Sequence, residues 1–289
     1  MHPTLQSLLP GPVVTDGAWG TQLQLMGLPV GDCAERWNLD HPDRVERVGR
    51  AYVEAGSQVI LTNSLGANRV RLAYRNLGDR TVEINHAAVE ISRRAAGGAA
   101  YVFASIGPTG KLISMRETTP DELMDVFAEQ ARAQAEAGAD ALLLETFTDL
   151  DEIVPALTAA RTTRLPIVAS MVFDSGIRHD RTLMGKTPEQ TARAMVEAGA
   201  DVVGANCGRG VDGYVDVCRR MRAEVAVPLW LKPNAGLPEL VDGRASYTIL
   251  PDQFASRVVD LVEAGADFVG GCCGTDPDFI RAIARSLAG

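Results

Sequence analysis

The phrase Glu197-Ala-Gly-Ala-Asp-Val-Val-Gly204 decides the fold, because it occurs in four versions along the chain. The others are Glu54-Ala-Gly-Ser-Gln-Val-Ile60, Glu136-Ala-Gly-Ala-Asp-Ala-Leu-Leu-Leu144 and Glu263-Ala-Gly-Ala-Asp-Phe-Val-Gly270. Each follows an amphipathic run and precedes an apolar, β-rich run. The glycine of each copy (56, 138, 199, 265) therefore reads as the left-handed residue just past a helix end, with a buried strand after it. Helix starts are marked as well. Thr119-Pro120, Thr187-Pro188 and Asp276-Pro277 each place a capping side chain before a proline at the first helical position, where its missing N–H costs nothing.

Working outward, the apolar runs bounded by these signals predict eight strands: Val13 to Thr15, Gln58 to Asn63, Tyr101 to Ile106, Ala141 to Thr146, Ile167 to Phe173, Val202 to Asn206, Leu229 to Lys232 and Phe268 to Gly271. Helices are expected between them, over Pro42 to Ala55, Arg80 to Ala96, Pro120 to Ala137, Leu150 to Thr163, Pro188 to Ala198, Asp212 to Ala223, Asp252 to Ala264 and Asp278 to Leu287. Most strand runs are continuous rather than alternating, as parallel strands covered on both faces require. Eight strands alternating with eight helices favour one α/β domain over residues 1–289, a single (β/α)8 TIM barrel, over a doubly wound open sheet. Helix-to-strand connections are short glycine turns, whereas Gly17 to Asp40, Gly107 to Thr119, Asp174 to Thr187 and Pro233 to Pro251 lengthen the opposite rim. Chemistry is expected at that rim, the C-terminal ends of the strands.

Composition excludes several function classes. Among 289 residues, 28 Lys and Arg stand against 37 Asp and Glu, a net charge of −9, and no basic tract occurs; a nucleic-acid partner is not expected. Every apolar run falls far short of the roughly 20 residues that span a bilayer, and the N-terminus lacks a basic leader, so no membrane partner and a cytoplasmic address are expected. Five cysteines, two of them adjacent, fit metal binding, catalysis or plain burial in a reducing compartment better than disulfides.

Two cysteine segments fall at the expected rim. The sixth strand runs into Asn206-Cys207-Gly208, and the eighth into Gly270-Gly-Cys272-Cys273-Gly274. In a closed barrel only the seventh strand separates them, and the flanking glycines allow turns that a Cβ would forbid. Three thiolates with one open position form a tetrahedral zinc arrangement of catalytic type. The plainer alternative is that buried cysteines act as small hydrophobes. Cys33 and Cys218 have no partner cluster, and His2, His41, His86 and His179 lie on the tail, helices or loops.

The segment Gly270-Gly-Cys-Cys-Gly-Thr275, with Gly204-Ala-Asn-Cys-Gly208 and Thr15-Asp-Gly-Ala-Trp-Gly-Thr21, resembles the homocysteine-binding zinc barrel of the homocysteine S-methyltransferase family over essentially the whole chain. Within that family, Ser105-Ile-Gly-Pro-Thr-Gly110 and Lys232-Pro-Asn-Ala-Gly-Leu-Pro238 are similar to the homocysteine module of cobalamin-dependent methionine synthase. The resemblance implies that Cys207, Cys272 and Cys273 ligate Zn²⁺ and that the homocysteine thiol takes the open place. The thiolate would then attack an activated methyl group to give methionine. It further implies that Asp16 and Glu145 pair with the substrate ammonium and that Asn234 closes the open position when substrate is absent.

Backbone N–H groups around Gly17 to Gly20 or Gly107 to Gly110 are candidates for the substrate carboxylate, and Asn63 either lines the pocket or satisfies strand-end backbone. The donor stays open between a small molecule and a corrinoid protein, the latter casting the chain as a homocysteine-binding subunit or module. Two other classes compete: a metal-free aldolase-like barrel using Lys232, which needs that amine unpaired and desolvated, and a non-catalytic zinc- or thiol-sensing scaffold.

Overall fold

The structure, a computed structural model, describes residues 1–237, 239–241 and 244–288. Eight parallel strands carry the fold: β1 (Val13–Val14), β2 (Val59–Leu61), β3 (Tyr101–Ile106), β4 (Ala141–Phe147), β5 (Ile167–Met171), β6 (Val202–Cys207), β7 (Leu229–Pro233) and β8 (Phe268–Val269). They pair in the order β1-β8-β7-β6-β5-β4-β3-β2. The remaining seam is closed by a parallel bridge between Thr15 and Val59 and by Gln58 N–H donating to Val14 O at 2.8 Å. The expected (β/α)8 barrel is what forms.

Helices α1 (Pro42–Glu54), α2 (Thr81–Ala96), α3 (Pro120–Glu136), α4 (Leu150–Ala160), α5 (Pro188–Glu197), α6 (Val211–Glu224), α7 (Pro251–Glu263) and α8 (Pro277–Leu287) alternate with the strands. Thr119 and Thr187 cap α3 and α5 through reciprocal boxes with Glu122 and Gln190, and the Asp276 side chain accepts from the first turn of α8.

The fourfold phrase has a physical cause beyond its glycine. In three copies the Asp carboxylate accepts an N–H from the first or second residue of the neighbouring strand: Asp140 from Val102 at 2.8 Å, Asp201 from Ile167 at 2.9 Å and Asp267 from Leu229 at 2.8 Å. Gln58 does the same for Val14 at 3.0 Å. The four glycines all have positive φ, between 90° and 107°. Each copy thus ends a helix, turns, and staples the bottom of its strand to the preceding one, which fixes the register of the barrel floor.

Inside the barrel, Trp230 stacks against Phe103 at 6.0 Å and Phe268 at 5.5 Å between ring centroids. This filled interior leaves the C-terminal rim as the place for a site. The rim also carries a feature not expected from sequence, an antiparallel hairpin of Glu239–Val241 and Arg244–Ser246 between β7 and α7. Pro238 of the Lys232 to Pro238 motif lies outside the described residues. Among the described residues, no helix is long and apolar enough to cross a membrane.

Candidate functional site

Cys207 ends β6 in the left-handed region, at φ +66°, and Gly208 follows at φ +67°. A non-glycine residue there costs on the order of 1–3 kcal/mol, and such strain gathers at functional sites. Beyond β8, Gly270 and Gly271 run so close to Thr15 and Thr275 that a Cβ on either would sit 2.1 and 2.3 Å from their hydroxyls. The chain then folds over Cys272-Cys273-Gly274. Thr275 N–H and Oγ1 donate to Cys272 O at 3.1 and 2.7 Å, while Cys272 N–H donates to Pro233 O at 2.8 Å. The turn brings both sulfurs to one side, so the three sulfurs of Cys207, Cys272 and Cys273 all lie within 4.8 Å of one another.

Asn234, just past β7, knits the two cysteine segments together. Its Nδ2 donates to Gly208 O at 2.6 Å and lies 3.6 Å from Cys207 Sγ, and its Oδ1 accepts from Cys273 N–H at 3.0 Å. With these donors around it, above all the Cys272 and Cys273 thiols, Cys207 is pulled down to about 3. Cys273 is pushed up to about 11 and Cys272 well above its usual value, because each donates to Cys207 and both are buried beside its charge. Such a donor set holds one negative charge alone and needs a cation to ionise further. Three convergent, half-buried thiols with that demand fit a metal ion.

Glu145 sits where the β4–β5 register shifts, between Leu144 and Phe147, a bulge that re-aims a side chain. Among the described residues its one hydrogen bond comes from Ser105 Oγ to Oε1 at 2.5 Å. Burial pushes its carboxyl up, opposed by the charge of Lys232 and by Ser105. Asp16 is buried and fully engaged: Oδ2 accepts from Trp19 Nε1 at 2.6 Å and from Leu61 N–H at 2.7 Å, and Oδ1 is ion-paired with Lys232. Lys232 is desolvated, as an aldolase-type amine would need, but it is not unpaired.

Gly17 is buried against Tyr52 and Thr275, where a Cβ would fall within 2.9 Å of both. Its N–H meets no acceptor among the described residues. Asn63 turns away from such a role with its nitrogen, which donates to Ala34 O at 2.7 Å and Asn38 Oδ1 at 2.9 Å, tying the β1–α1 loop to β2. Cys33 donates to Glu35 and is pushed up to about 11; Cys218 is pushed up to about 12, mainly by burial. Neither joins the cluster.

The sequence profile of the family described as homocysteine S-methyltransferase matches residues 13–287. The chain belongs to the homocysteine S-methyltransferase family. Among curated proteins, the chain is similar to the methionine synthases of Mycobacterium tuberculosis and Mycobacterium leprae. They are 32% and 31% identical over 96% and 98% of this chain. The chain spans only about a quarter of those relatives, 24% and 25% of their lengths. Among solved structures, the Escherichia coli homocysteine methyltransferase MmuM in its metallated form superposes with a TM-score of 0.81 at 23% identity, covering 98% of this chain and 99% of that one. Its oxidised form gives 0.82 at 22%, with the same coverage. These likenesses establish the same barrel fold.

Several side chains around the cysteine cluster of this family member were not singled out from sequence. Asn206, fully buried ahead of Cys207, accepts from Thr146 N–H at 2.9 Å and Ser170 Oγ at 2.7 Å, and donates to Thr146 Oγ1 at 2.7 Å. Thr146, beside Glu145, has φ +67°. Tyr247 lies across Gly274, where a Cβ would meet its ring at 2.4 Å, and its phenol is pushed up to about 12 by burial and by the nearby thiols. A buried Asn in an apolar strand was the available signal for the first, since buried amides are almost always hydrogen-bonded.

Proposed function

We propose that this chain is a zinc-dependent homocysteine S-methyltransferase that converts homocysteine to methionine. The reading is carried by one observation: three cysteine sulfurs converge within 4.8 Å of one another at the rim where the buried carboxylate of Glu145 also stands, near the end of β4. A thiol end and an ammonium end of one small amino acid are thereby provided for together. Cys207, Cys272 and Cys273 would hold Zn²⁺, which supplies the charge that favours a thiolate near neutral pH.

The chain's own residues then bind and orient the substrate. Glu145 offers the ammonium its unshared oxygen, and the Gly17 N–H is available to the carboxylate. Asp16 and Lys232 cancel in charge, so the floor keeps the single negative charge of Glu145, matched by the ammonium. Asp16, with both oxygens already engaged, acts by holding Lys232 in that neutral pair. Asn234 holds the Cys207 and Cys273 segments at a fixed spacing, and Asn63 anchors the loop above the pocket. In the transfer, a lone pair on the deprotonated substrate sulfur forms the new S–CH₃ bond as the methyl–donor bond breaks, and the bonding pair leaves with the donor.

Exposed apolar side chains stand on the loops that follow β2, β3, β5 and β7, among them Leu65, Met115, Ile177, Leu183 and Leu237. That rim favours a methyl donor presented on a protein surface, such as a corrinoid protein, over a free small molecule. The free thiols suit a reducing compartment such as the cytoplasm. The test is a donor panel with zinc-loaded protein and homocysteine, reading methionine: a methylated corrinoid protein, S-methylmethionine, S-adenosylmethionine and betaine. Methionine from one of these supports the reading. No methionine, together with no homocysteine binding by calorimetry, overturns it.

A further inference from the structure

We infer that Asn206 is a positioning residue that locks the substrate-binding Glu145 to the strand carrying Cys207. The inference rests on the reading of Glu145 given above and adds a residue that reading does not use. Glu145 and Cys207 lie on β4 and β6, separated by β5, and no backbone ladder joins those two strands directly. The Asn206 side chain does join them. Its oxygen takes Thr146 N–H from β4 and Ser170 Oγ from β5, and its nitrogen reaches Thr146 Oγ1.

The clamp sits at a strained place. Thr146 is β-branched yet holds φ +67°, a conformation that persists only when its surroundings over-determine it. It lies inside the bulge between Leu144 and Phe147, so the same backbone twist sets the direction of Glu145. With both oxygen and nitrogen of Asn206 committed to Thr146, the amide acts as the missing rung of the bulge. On the other side, the Asn206 carbonyl accepts from Tyr214 OH at 2.8 Å, which holds the segment entering Cys207. One residue therefore sets the separation between the carboxylate for the substrate ammonium and the first thiol of the cluster. An error of about 1 Å in such spacing is enough to cost two orders of magnitude in rate.

The test has a structural arm and a binding arm. In a crystal structure of Asn206→Ala, Thr146 is expected to leave the left-handed region and Glu145 to lose Ser105; an unchanged bulge and an intact Ser105–Glu145 bond would overturn the inference. The binding arm measures homocysteine affinity calorimetrically on zinc-loaded full chain. Asn206→Ala is expected to weaken binding about tenfold with zinc content unchanged, yet by less than about twofold in a Glu145→Gln background. Equal losses in both backgrounds would show that Asn206 does not act through Glu145. Thr146→Ser, which keeps the hydroxyl, should stay near wild type, and Thr146→Val should behave like Asn206→Ala; if Asn206→Ala does not fold, Thr146→Val takes its place in both arms. Should wild-type protein fail to bind homocysteine, the proposed function fails while the structural arm still decides the role of Asn206.

Discussion

Lys232 and Asp16 form an ion pair inside the barrel, with side chains 2% and 0% exposed. Asp16 also accepts from Trp19 and the Leu61 N–H, so both charges are compensated by fixed partners. Removing one member strands the other, a loss of about 3–5 kcal/mol. Lys232→Ala is therefore expected to cut unfolding stability by that order in denaturant titrations. Because the amine is paired, borohydride trapping with carbonyl compounds should give no adduct at Lys232; an adduct there would revive the aldolase-like reading.

Glu145 carries opposite consequences for stability and binding. Its carboxyl is pushed up by burial, so the native state holds this proton more tightly than the unfolded chain does. Its contribution to stability is present at low pH and is lost as pH rises from the ordinary carboxyl range through the raised value. Glu145→Gln should therefore raise the thermal midpoint at neutral pH. The same change removes a charge-assisted bond to the substrate ammonium, and homocysteine affinity should fall about 10- to 100-fold. In wild-type protein that affinity should decline with acidification above the ordinary glutamate range more steeply than in Glu145→Gln, which keeps only the part set by ionisation of the substrate thiol.

The fold was legible because the junction phrase is local: a glycine at positive φ and a buried strand after it need no tertiary information. The Asp of the same phrase was not read, since its partner lies on another strand and depends on barrel register. The eight strands fell where apolar runs were expected, with shorter ends at β2, β5 and β8; β8 stops before Gly270 and Gly271, which turn to form the site, while Thr15 stays in the barrel through its bridge to Val59. The convergence of the three cysteines was legible from strand order together with the glycines that flank them. The Glu145 bulge and the Asn206 clamp were not, because nothing local marks a Thr that adopts φ +67°.

Gly204 tests how tightly the site's supporting strands are packed. A Cβ there would fall 1.8 Å from Trp230 O on β7, and neither strand can yield without moving Cys207 or Asn234. Gly204→Ala should destabilise the protein by about 3 kcal/mol or more, read as a lower midpoint in chemical denaturation.

Asn234 supports the cluster through Gly208 and the Cys273 N–H. Groups that orient metal ligands are commonly worth 10- to 100-fold in metal affinity. Asn234→Ala should weaken zinc by about that factor in competition with a chromogenic chelator, while circular dichroism stays unchanged. Undiminished zinc affinity would reduce Asn234 to a turn residue.

Metal content of protein purified without chelators, measured by plasma mass spectrometry for wild type and Cys273→Ala side by side, bears most directly on the three-sulfur site. About one zinc per chain is expected in wild type and almost none in the variant, with methionine formation lost alongside the metal. Full zinc retention by Cys273→Ala, or methyl transfer to homocysteine by metal-free wild type, would contradict it.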